Sequence, residues 1–194
     1  MTATSIHSVG FCAHYSSQGD WAFNAALNLA RQYSLQLNVF HFLSDPYNPD
    51  DRLDLKLRHT ALDRLIIEKE KELRFYYDEK LGDYLNAGFR LCEDKEWTEL
   101  HRCLCKREFQ VLFLGYPYPN ATFGGKPIEN FADSFVCPVV LVGPEMPNEY
   151  HLNRPAVLLV DRLGLSDLPW SRIEIDNRLE SRLTARVTTG SHGV

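Results

Sequence analysis

The chain has 194 residues, of which 44% are hydrophobic and 24% charged, with a formal charge of -5. That length fits one domain with an extension better than two full domains, and the composition is that of an ordinary globular protein. The negative balance argues against a general nucleic-acid or anionic-membrane surface, and no run approaches the roughly 18 apolar residues of a membrane span.

The first residues, Met1 to His7, show no charged segment followed by an apolar stretch, so a cytoplasmic location is expected. Cys12, Cys92, Cys103, Cys105 and Cys137 are odd in number and scattered through strand and helix patterns. They read as reduced thiols, not as a disulfide framework.

In chain order, Val9 to Ala13 is a short apolar run that ends in His14-Tyr-Ser-Ser-Gln-Gly19. Ala22, Ala25, Ala26, Leu29 and Tyr33 then recur at helical spacing, which gives strand, loop and helix. Leu35 to Leu43 reads as a second strand, closed by the turn-rich Ser44 to Asp50. The longest helical pattern runs from about Asp51 to Leu85, with Leu62, Leu65, Ile66, Leu73, Tyr76, Tyr77 and Tyr84 on one broad face. The charged run Glu68 to Glu72 interrupts that face and is expected to be a solvated turn. Asn86-Ala-Gly88 is expected to stop the helix as a left-handed cap, and Phe89 to Cys92 follows as a third strand.

Asp94 suits the cap of another helix, on which Trp97, Leu100 and Leu104 share a face. Gln110-Val-Leu-Phe-Leu-Gly115 is a buried strand. A Pro/Gly/Asn-rich loop leads from it to Pro127, which suits a first helical position, and to the stripe Ile128, Phe131, Ala132 and Phe135. Cys137-Pro-Val-Val-Leu-Val-Gly143 closes the series as a fifth strand. This alternation predicts an α/β fold: a three-layer open parallel sheet of five strands, in the order 3-2-1-4-5, with helices on both faces. Ligands of such sheets bind beyond the carboxyl ends of the strands, so Gly115 stands where a ligand would sit.

Over roughly residues 6 to 143 the chain resembles the universal stress protein family. The resemblance rests on the order of the elements, on Val111 to Gly115 and on Cys137 to Val142. It implies a domain over residues 1–143 with a C-terminal extension over 144–194, and an adenine nucleotide alpha hydrolase-like fold. Members of the family that bind ATP carry G-x2-G-x9-G-[S/T] after the fourth strand and an Asp that ends the first. Counted from Gly115, the later motif positions fall on Tyr118, Ile128 and Glu129, while Ala13 and His14 stand where the acid would be. The resemblance thus points to the members that do not bind ATP, so no resident cofactor is expected, with a nucleotide as the alternative.

Gly124-Gly125-Lys126 offers a fallback anion site, with backbone N–H groups and an ammonium ahead of a helix, or else an ordinary turn. His14 and His41 end neighbouring strands and are placed to converge near Gly115, as metal ligands, acid and base, pH sensor, or simply polar filling of a wet crevice. His101 and Cys105, four apart, share a helix face, but one such edge falls short of the four ligands of a stable zinc site. Pro155 to Asp161 reads as a further strand, either a remnant of a second repeat or an arm, before a polar tail from Arg182.

The leading expectation is a non-catalytic, cytoplasmic stress-response protein, homodimeric through its fifth-strand edge, as the resemblance implies. The alternative is a small-molecule or nucleotide binder, or a hydrolase, that uses a rearranged crevice lined by Ala13, His14, His41, Gly115, Gly124, Gly125 and Lys126. A third reading makes the His101/Cys105 edge a metal or redox sensor.

Overall fold

The computed structural model describes residues 6–48, 59–92, 106 and 108–158. Eight strands and four helices are seen among them. They are β1 (Ser8–Cys12), α1 (Ser17–Tyr33), β2 (Gln36–Phe42), α2 (His59–Leu81), β3 (Ala87–Cys92) and β4 (Val111–Gly115). After these come β5 (Thr122–Phe123), β6 (Lys126–Pro127), α3 (Ile128–Asp133), β7 (Val139–Val142), β8 (Tyr150–Leu152) and α4 (Arg154–Val157).

The main sheet has the order β3-β2-β1-β4-β7-β8, and its first five strands are parallel. The expected 3-2-1-4-5 arrangement is therefore present, with one strand more. β8 pairs antiparallel with β7, Val142 opposite Tyr150, so the fifth strand is not an edge of this sheet. Each central strand is buried on both faces, because alternate side chains feed two separate cores. Val9, Phe11, Leu37, Val39, Val111 and Phe113 pack against Phe23, Ala26 and Ala30 of α1 and Leu73 and Tyr77 of α2. Cys12, Phe40, Phe42, Leu112, Leu114 and Leu141 form the other core with Phe109, Phe123 and the α3 stripe of Ile128, Phe131 and Ala132.

Three local expectations are corrected. The charged run Glu68 to Glu72 does not break α2; it lies within the helix, where Lys69–Glu72 and Glu70–Arg74 pair at 2.6 and 3.1 Å. The helix ends at Leu81, before Gly82 with φ 59°, whereas Gly88 lies inside β3. Residues 154–157 are helical and not the start of a strand. Asn153 caps that turn by accepting from the Ala156 N–H at 3.1 Å, and Pro155 sits in the first turn, where its missing N–H costs nothing. The expected helix after Asp94, the His101/Cys105 edge, and the chain beyond Leu158 lie outside the described residues.

Candidate functional site

The sheet reverses its winding between β1 and β4, so the carboxyl ends of these strands frame the crevice in which such folds place ligands. Both sides of that crevice are held by local chemistry. Ser16 caps α1 by accepting the Gly19 N–H at 3.0 Å, and Asp20 in the first turn binds Lys80 of α2 at 2.5 Å and the Tyr76 hydroxyl at 3.0 Å. β4 then runs hard against this first turn. A Cβ on Gly115 would lie 2.9 Å from the Gln18 carbonyl carbon and the Gly19 nitrogen, and one on Gly19 would lie 1.9 Å from the His14 oxygen. Glycine at 115 thus serves backbone packing, whatever else it does.

Tyr47 fills the crevice itself. Its turn is set by Asp45, whose carboxylate accepts the Tyr47 N–H at 2.9 Å. The ring lies 4.4 Å from His14 and 5.0 Å from Phe123, and its hydroxyl donates to the Gly115 carbonyl at 2.6 Å. Only 7% of the residue is exposed, and burial raises its pKa well above the usual tyrosine value, so the hydroxyl stays protonated as a donor. Beside it, Tyr116 donates to the Glu129 carboxylate and accepts the Asn120 N–H at 3.3 Å. Burial and the Glu129 carboxylate push Tyr116 up to about 12.

The positions that the family resemblance assigns to glycines and a hydroxyl are thus otherwise occupied. Ile128 is fully buried in the core, Glu129 is tied to Tyr116, and Tyr118 is exposed on the loop. Gly124 and Gly125 are the two central residues of the β5–β6 hairpin, Phe123 opposite Lys126, with φ 60° and 77°. Two positive φ values in a two-residue loop are what glycine supplies there. The Gly124 N–H is bound to the Pro46 carbonyl at 2.8 Å, Lys126 is exposed, and α3 begins only at Ile128. These glycines therefore tie the hairpin to the turn that carries Tyr47.

Ala13, His14 and His41 line one pocket of about 330 Å³, together with Tyr15, Phe42, Leu43, Asp45, Pro46 and Lys69. Gly115 and the hairpin residues are not among the lining residues. His41 Nδ1 donates to the Ala13 carbonyl at 3.4 Å, and the Tyr15 ring stands 5.0 Å from His41. His14 Nδ1 meets the Ser16 hydroxyl at 2.8 Å, and its Nε2 is 3.8 Å from Asp45. Burial lowers both imidazoles from their ordinary 6.5; Asp45 opposes this at His14, while at His41 the Ala13 carbonyl opposes it and Lys69 and His14 add to it. Among the described residues no group of three or more His, Cys, Asp or Glu gathers for a metal ion. Burial raises the Cys12 thiol well above its usual value, with Cys92 adding to it, and pushes Cys137 up to about 12.

Tyr15, Asp45, Tyr47 and Lys69 escaped the sequence reading. Asp45 and Tyr47 carried the only signal, an Asp-Pro-aromatic turn directly after a buried strand.

The neutral imidazoles give a pH expectation. An unfolded chain takes up protons near 6.5 that the folded chain refuses, so stability is complete above that value and falls as pH drops through the lowered folded values. Melting temperature should fall between about pH 7 and pH 5, and less steeply in a His14→Asn/His41→Asn variant. Equal slopes, read by circular dichroism, would show that the imidazoles contribute nothing.

No protein-family model matches the chain, and no curated protein does. Solved structures do match. A universal stress protein family member from Burkholderia pseudomallei is 15% identical and superposes with a TM-score of 0.52 over 72% of this chain and 98% of its own. UspA from Lactobacillus plantarum is 14% identical over 73% of this chain and all of its own, with a TM-score of 0.48. A universal stress protein in complex with cAMP is 13% identical, again over 73% and all of its own length, at 0.49. The first of these shows that the chain has the universal stress protein fold.

Proposed function

We propose that the chain is a universal stress-type regulatory protein of the cytoplasm, without catalytic activity and without the family's mode of ATP binding, that works as a homodimer. The fold supports the class. The single observation that carries the rest is Tyr47, whose ring occupies the switch-point crevice and whose hydroxyl takes the Gly115 carbonyl. The Tyr116–Glu129 pair adds a carboxylate where phosphate charge would have to be met. Because β8 covers the outer side of β7, the strand edge offered to a second copy is β8. Titration calorimetry with ATP is expected to show no saturable heat at millimolar concentration, and a measurable affinity would overturn the reading. Light scattering at micromolar concentration should give twice the chain mass; a monomer would remove the dimer.

A second reading, a small-molecule binder, is favoured by the pocket between β1, β2 and α2. That pocket lies beside the filled crevice and is lined by two imidazoles that the fold brings to one place.

A further inference from the structure

The polar groups of the His14–His41 pocket are complementary. A carbonyl only accepts, so the Ala13 bond fixes the proton of His41 on Nδ1 and leaves Nε2 as an acceptor, with no partner among the described residues. At His14 the opposite tautomer is favoured. The Asp45 carboxylate stands 3.8 Å from Nε2 and favours the proton on that nitrogen, which leaves Nδ1 to accept from the Ser16 hydroxyl at 2.8 Å. One imidazole therefore presents an acceptor and the other an N–H donor.

Charge in the pocket is balanced. Lys69 is the one cation of the lining and is held by Glu72 at 2.6 Å, and Asp45 is the one anion. Ala13, Phe42, Leu43 and Pro46 supply apolar wall, and the Tyr15 ring, 39% exposed, supplies an aromatic surface. A volume of about 330 Å³ is at the lower end of the range for small-ligand sites.

We propose that this pocket binds a small neutral planar ring that carries a carbonyl beside an N–H, a cyclic amide of the pyrimidine-dione kind. The ring lies against Tyr15, its carbonyl accepts from His14 and its N–H donates to His41. Charged phosphate plays no part. The assignment rests on the second reading above and gives it a chemical class.

Uracil is the probe, with 1,3-dimethyluracil as the control that keeps ring and carbonyls and loses both N–H groups. Calorimetry on the full chain near neutral pH should show saturable uracil binding and about tenfold weaker binding of the dimethyl compound, the loss of one good hydrogen bond. His41→Phe should weaken uracil similarly, and His41→Gln, which keeps an acceptor, should restore part of it. Acidification should weaken uracil binding as His41 Nε2 takes up a proton. No saturable heat with uracil, or equal affinities for the two compounds, would overturn the proposal, and the comparison of compounds needs no variant to fold. If neither uracil nor ATP binds, the pocket assignment fails and the regulatory reading stands. Heat with ATP would instead overturn the regulatory reading.

Discussion

Replacing Asn153 by alanine is expected to lower the free energy of unfolding by roughly 2–4 kcal/mol, the scale of buried hydrogen-bonding groups left unpaired. This side chain is 3% exposed and uses its full hydrogen-bonding capacity. Its oxygen accepts from Val139 N–H at 2.9 Å and Ala156 N–H at 3.1 Å, and its amide donates to the Ala132 and Cys137 carbonyls, each at 3.0 Å. Four segments meet there: α3, the loop before β7, β7 itself and the turn α4. Asn153→Asp is the sharper test. It keeps both accepted bonds but turns a carboxylate oxygen toward two carbonyls, so it too should be destabilised at neutral pH. Its carboxyl pKa should be raised in the folded state, so the variant gains stability relative to alanine as pH falls through the carboxylate range. Urea unfolding followed by circular dichroism reads both; an aspartate variant as stable as the parent would show that the amide donors do not matter.

The second large effect is expected at Tyr47. Tyr47→Ala removes a buried ring from contact with His14 and Phe123, and the loss should be about 3–5 kcal/mol, as for other buried aromatic side chains. Tyr47→Phe keeps the ring and loses only the bond to the Gly115 carbonyl, so about 1 kcal/mol is expected. The space left by the alanine variant has the shape of a phenol. Added phenol should therefore raise the melting temperature of Tyr47→Ala and leave that of the parent unchanged. If Tyr47→Ala melts like the parent, the ring does not plug the crevice and does not stand in the way of ATP there.

The parallel sheet and its order were legible because five apolar runs alternate with helical patterns, and buried strands must be apolar on both faces. β8 was not legible, because Tyr150-His-Leu152 is three residues long and has no apolar run, so only its pairing with β7 defines it. Pro155 to Val157 looked like a strand because of its apolar residues, but a capping Asn and an early Pro decide locally for helix. The end of α2 was misplaced for a related reason: two glycine signals, Gly82 and Gly88, compete in sequence, and only the backbone shows which one turns the chain.

At the site, counting from Gly115 put Tyr118, Ile128 and Glu129 at the positions that the family resemblance gives to glycines and a hydroxyl, and the apolar runs put His14 and His41 near the carboxyl ends of two strands that the sheet makes neighbours. These are properties of spacing and strand register, which local periodicity carries. What stands in the crevice was decided only in three dimensions. Tyr47 is 68 residues from the carbonyl it binds, and Lys69 reaches the pocket from a helix between two strands. Gly115 is required by the backbone of α1's first turn, which passes too close for a Cβ. Contacts of this kind depend on how layers pack, and a linear pattern of apolar and polar residues fixes the layers but not which side chains meet across them.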